Sequence, residues 1–104
     1  LPLVKDLEKV NVLACEIADY FYRLDFREAL KLMPKLMEDT QNIISEKEAA
    51  CKDAKHIDII QKFVELVYSV MDKKDYILLG DLLKYEWVKT LGLLQNNLSN
   101  GESK

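Results

Sequence analysis

Apolar residues recur along this chain in steps of three and four. Leu3, Leu7, Val10, Ala14, Ile17, Ala18, Phe21 and Leu24 fall on one stripe at about 100° per residue, with Lys5, Glu8, Lys9, Glu16, Asp19 and Arg23 off it. The spacing predicts an amphipathic helix over residues 3–23. Asp25 follows as an N-cap, and Glu28, three residues on, completes a capping-box-like pattern. A second stripe runs through Phe26, Ala29, Met33, Leu36, Met37, Thr40, Ile43 and Ile44. Pro34 lies inside that helix on its solvent side, where a missing amide hydrogen bond kinks a helix; a new helix beginning at Pro34 is the alternative.

Residues 45–55 are good helix formers without an apolar stripe. They either extend the second helix, lead into the third, or cross between them. Ile57, Ile60, Phe63, Val64, Val67, Tyr68 and Met71 make a third stripe, which ends at Asp72-Lys73-Lys74-Asp75 with Asp75 as the next cap. The fourth helix is predicted over 76–98 and is apolar around much of its circumference. Residues 99–104 are a polar tail. Helices of about 20 residues span roughly 30 Å, and the short links at Leu24-Asp25 and Lys73-Lys74 force antiparallel neighbours. The expected fold is all-α: an antiparallel four-helix up-down bundle forming a single domain over 1–98.

A shift of 50 residues superposes the two halves. Leu7 meets Ile57, Val10 meets Ile60, Ile17 meets Val67, Phe21 meets Met71, Asp25 meets Asp75 and Phe26 meets Tyr76. Only Lys5/Lys55, Asp25/Asp75, Leu32/Leu82 and Thr40/Thr90 are identical, so the match reflects either an ancestral duplication or two amphipathic hairpins of equal length. Either origin predicts pseudo-twofold packing. The register has one exception: Glu86 takes the place of Leu36 on the core face of the fourth helix. A carboxylate there needs a Lys or Tyr partner at the bundle edge, or else it serves a function.

Composition narrows the classes. The 104 residues carry 15 basic against 18 acidic side chains, a formal charge of −3, and no nucleic-acid footprint is expected from that balance. Lys31, Lys35, Arg27 and Arg23 gather near the start of the second helix, but Glu28, Glu38 and Asp39 interleave with them as in a solvated face. No run of 18 apolar residues occurs, so no membrane span is predicted, and no basic-then-apolar signal segment opens the chain. Cys15 and Cys51 are too few for a disulfide scaffold or zinc site, and a reducing, cytoplasmic setting is the expectation.

Catalytic chemistry is thin. A di-metal carboxylate bundle needs two Glu-x-x-His pairs, whereas His56, with Asp53 before it, is the only histidine; it reads as a packing residue. Cys15 has no neighbouring histidine in sequence. Ser45, Ser69 and Ser99 lack an elbow motif, and Gly80, Gly92 and Gly101 are too isolated to cradle phosphate. Neither a metal nor a cofactor is expected, and the chain reads as a non-enzyme.

Surplus apolar surface is the main functional clue. Ile59, Leu66 and Val70 form a second strip on the third helix. The fourth adds Ile77, Leu78, Leu82, Tyr85, Val88, Leu91 and Leu93 to its core set. A bundle needs only about a third of each helix inward, so the excess either thickens the core or meets another chain. Ile59, Leu66, Val70, Ile77, Leu78 and Tyr85 are the candidate partner-binding residues.

The segment Asp75-Tyr76-Ile77-Leu78-Leu79-Gly80-Asp81-Leu82-Leu83-Lys84-Tyr85-Glu86-Trp87 resembles one in small helical-bundle proteins of Gram-positive bacteria, some associated with motility and flagellin-modification proteins. The resemblance implies an accessory or interaction role and supplies no catalytic residue. Three readings follow: a protein-interaction module or chaperone-like adaptor, a self-associating homodimeric bundle, and an enzyme or ligand binder centred on Glu86.

Overall fold

The computed structural model describes residues 2–50 and 54–93 of the chain. Four helices and no strand make up these residues. Helix α1 spans Pro2–Tyr22, α2 spans Phe26–Ala50 and α3 spans Ala54–Asp72. Helix α4 begins as Tyr76–Asp81, passes through a π-helical turn at Leu82–Glu86, and is α-helical again over 87–93. α2 runs unbroken through Pro34. The ambiguous stretch divides accordingly: 45–50 extends α2 and 54–55 opens α3, while 51–53 lie outside the described residues. So do 94–98 of the expected fourth helix and the tail 99–104.

Both hairpin links are built the same way, 50 residues apart. Asp25 N–H donates to the Tyr20 carbonyl at 2.9 Å and Leu24 N–H to the Phe21 carbonyl at 3.0 Å; Asp75 N–H donates to Val70 at 3.4 Å and Lys74 N–H to Met71 at 3.0 Å. This is the Schellman pattern, with Leu24 (φ 63°) and Lys74 (φ 60°) in the left-handed position that glycine usually takes. Each Asp then caps the next helix: the Asp25 carboxylate accepts from Glu28 N–H at 3.4 Å, and Asp75 from Leu78 N–H at 3.2 Å. A helix stop and a helix start share one residue, so the chain reverses within two residues. Leu24, expected on the core stripe, is 65% exposed instead, because the left-handed residue is where the chain turns outward.

α1 packs between α2 and α4, and α3 completes the bundle against α4 and, more sparsely, α2. The core stripes meet as the periodicity requires, with Ile17, Phe21, Leu36, Ile60, Leu83 and Trp87 fully buried. At the link end Phe26 and Tyr76, equivalent residues of the two halves, pack on each other with ring centroids 4.7 Å apart, and Tyr76 stacks on Phe21 at 5.5 Å.

The register changes at the π turn. Trp87 N–H donates to the Leu82 carbonyl five residues back, so the turn absorbs one extra residue. Before it, halves match at 50 residues: Ala29 and Leu79 are both buried, as are Met33 and Leu83. After it two core positions match at 51, buried Leu36 with buried Trp87 and Thr40 with Leu91, although buried Met37 then falls on exposed Val88. Glu86 is therefore not the counterpart of Leu36. It is exposed, and the expectation of a buried carboxylate on the core face is corrected. The extra residue carries Glu86 out to water and brings Trp87 inward, where it packs edge-on to Phe63 at 5.8 Å.

Candidate functional site

Large apolar side chains left exposed among the described residues lie mainly on α3 and α4; only Val12 and Leu24 lie elsewhere. Ile59 and Leu66, seven residues apart on one face of α3, are each nearly half exposed. On α4, Ile77, Leu78 and Val88 are similar and Tyr85 is 60% exposed. Val70 departs from the strip expected on α3. It is only 5% exposed and belongs to the core cluster. Leu82 and Leu91, counted as surplus by periodicity, are also buried, and Leu93 is half-buried. The surplus thus splits. Part thickens the core, and Ile59, Leu66, Ile77, Leu78, Tyr85 and Val88 remain at the surface.

A second feature escaped the sequence reading. Between α2 and α3 runs an open groove of about 600 Å³, lined by Leu30, Met33, Pro34, Met37, Glu38, Gln41, Asn42, Tyr68 and Met71. Its origin lies in a broken symmetry. The equivalent α1–α4 seam is closed by small residues: Ala18 and Gly80 are both buried. A Cβ on Gly80 would stand 3.3 Å from the Phe21 Cβ and 3.4 Å from the Tyr22 ring. Tyr22 closes that seam further by donating a hydrogen bond from its hydroxyl to the Asp81 carboxylate. At the α2–α3 seam the residues 50 positions away are the larger Tyr68 and Leu30, and both line the open groove. The signal was in the sequence as two small-for-large mismatches, Ala18/Tyr68 and Leu30/Gly80, which a search for shared apolar positions passes over.

Titratable groups are dispersed. Burial, followed by the hydrogen bond to Asp81 and its negative charge, raises the Tyr22 pKa well above the ordinary tyrosine value. Lys84 lies over the rings of Tyr22 and Tyr85 at 5.4 and 5.9 Å. Cys15 is a half-buried free thiol and His56 is half-buried near the start of α3. Among the described residues, no group of three or more His, Cys, Asp or Glu side chains is placed to hold a metal ion. A depression between α1 and α2, edged by Asp6, Lys9, Asp39 and Glu46, is polar, and Lys35 there pairs with Asp39 at 3.3 Å. No helix among the described residues is long and apolar enough to cross a membrane.

No curated protein and no solved structure matches the chain. A family profile does, over residues 3–97, which takes in all four helices and both links. By that match the chain belongs to the family described as Domain of unknown function (DUF8042).

Proposed function

We propose that this member of the family is a non-catalytic protein-interaction module that binds a partner protein through the exposed face of α3 and α4. The observation carrying this reading is the concentration of half-exposed aliphatic and aromatic side chains there: Ile59, Leu66, Ile77, Leu78, Tyr85 and Val88. Scattered exposed leucines are ordinary, but surplus gathered on two adjacent helices marks a contact surface. The resemblance of Asp75–Trp87 to motility-associated helical proteins agrees with an accessory role, and the free Cys15 thiol with a reducing compartment such as the cytoplasm.

Full burial of such a side chain contributes roughly 1.5–3 kcal/mol, so covering its remaining exposed half contributes about 1 kcal/mol. Six of them give roughly 6 kcal/mol before the cost of association, which suits a reversible rather than a permanent contact. The test compares wild type with Leu66→Glu and Leu78→Glu by solution mass, binding of a hydrophobic dye, and melting. A monomer that binds dye, with binding weakened in both variants and melting unchanged, is the expected result. A wild-type dimer dissociated by the same substitutions would replace the partner with a second copy. A wild type that neither associates nor binds dye would refute both readings.

A further inference from the structure

We propose that the groove between α2 and α3 docks a basic amphipathic helix of a partner protein. It is a separate surface from the α3–α4 face: Tyr68 borders the groove, whereas Ile59 and Leu66 lie on the far flank of α3. The lining accounts for all three methionines of the chain, Met33, Met37 and Met71. Met33 and Met37 are buried in the floor, Met71 is half-buried in one wall, and Tyr68 stands exposed at the lip. Unbranched, polarisable thioethers reshape around incoming side chains, which is why methionine collects on adaptable binding surfaces.

Shape points to a helix. Along α2 the groove runs from Leu30 to Asn42, about 18 Å at 1.5 Å per residue, or three turns. That length matches a helix presenting apolar anchors at i, i+4 and i+7. Charge gives its sign. Glu38 lines the groove from α2, and Glu65 lies on α3 one turn before Tyr68 on the same face. Both are exposed, and neither forms an ion pair among the described residues. The nearest lysines on these helices are committed elsewhere, Lys35 to Asp39 at 3.3 Å and Lys62 to Asp58 at 3.1 Å. An apolar trough with Glu38 in its lining, and with Glu65 one turn beyond that lining on α3, complements a helix whose leucine face is flanked by lysine or arginine.

The experiment uses two synthetic amphipathic helical peptides of identical leucine pattern, one with lysine and one with glutamate at the polar positions. Binding to the full chain is read by fluorescence anisotropy and by the carbon-13 methyl signals of methionine, all of which report the groove. The Leu/Lys peptide should bind at least about tenfold more tightly than Leu/Glu and shift the methionine signals. The double variant Glu38→Lys, Glu65→Lys should reverse the preference with an unchanged circular dichroism spectrum, and Leu66→Glu should leave binding intact. The proposal is overturned if neither peptide binds, if both bind equally, if the methionine signals stay fixed, if charge reversal has no effect, or if Leu66→Glu abolishes binding. The Leu66→Glu variant also keeps the two surfaces apart, because the α3–α4 reading can fail while the groove still binds, and the reverse.

Discussion

Closure of the α1–α4 seam by Gly80 leads to a paired prediction in which one substitution has unequal effects at two positions of the same helix. Glycine in a helix interior is about 1 kcal/mol less favourable than alanine, so Gly→Ala stabilises wherever the added methyl finds room. At Gly92 a Cβ would have nothing within 4 Å, and Gly92→Ala should stabilise by about 1 kcal/mol. At Gly80 the methyl would meet the Phe21 Cβ at 3.3 Å, an atom fixed to the backbone of a fully buried residue. Relieving that contact means moving α1 away from α4 or twisting both side chains, and overpacking of this kind costs about 1–3 kcal/mol. The propensity gain is common to both variants and cancels on comparison. Gly80→Ala should therefore be less stable than Gly92→Ala by roughly 1–3 kcal/mol, or at least about 4 °C in Tm for a domain of this size. Gly80→Leu, which installs the residue α2 carries at the equivalent position, should destabilise further. Urea and thermal unfolding of the three variants measure this. Equal stabilisation by both alanines would refute the account of why one seam is closed and the other open.

Two further outcomes follow from the same geometry. Glu86→Gln should change unfolding free energy by less than about 0.5 kcal/mol, because the carboxylate is exposed; a loss of several kcal/mol in urea titration would return Glu86 to the core. Tyr22 should lose its proton above the ordinary tyrosine range in an ultraviolet pH titration, since burial and the Asp81 bond favour its neutral form. The sign for stability follows: the unfolded chain loses this proton first, so stability is intact below the ordinary tyrosine pKa of about 10 and falls as pH rises from there toward the raised folded value. Tyr22→Phe should flatten that alkaline decline, and an unchanged slope would count against the Tyr22–Asp81 bond.

Helix positions, the two links and most of the core were legible in the residues, because each depends on local features. A 3.6-residue period needs only the order of apolar side chains. Asp25 and Asp75 cap whatever helix follows them, whichever way it packs. Register between the halves was also legible as far as Leu83, since Schellman links and caps repeat 50 residues apart. Beyond Leu83, only the folded chain decides. Assigning a face by periodicity assumes a constant angle per residue, and the π turn at Leu82–Glu86 inserts one residue, rotating everything after it by about 100°. Trp87 rather than Glu86 then reaches the core. Val70 has the spacing of an outward strip but packs into the core, and which flank of a helix its neighbours cover is not contained in a pattern read along one helix. The groove is tertiary in the same sense. Tyr68 and Leu30 look like ordinary apolar helix residues until they face each other across a seam whose twin is closed by Ala18 and Gly80.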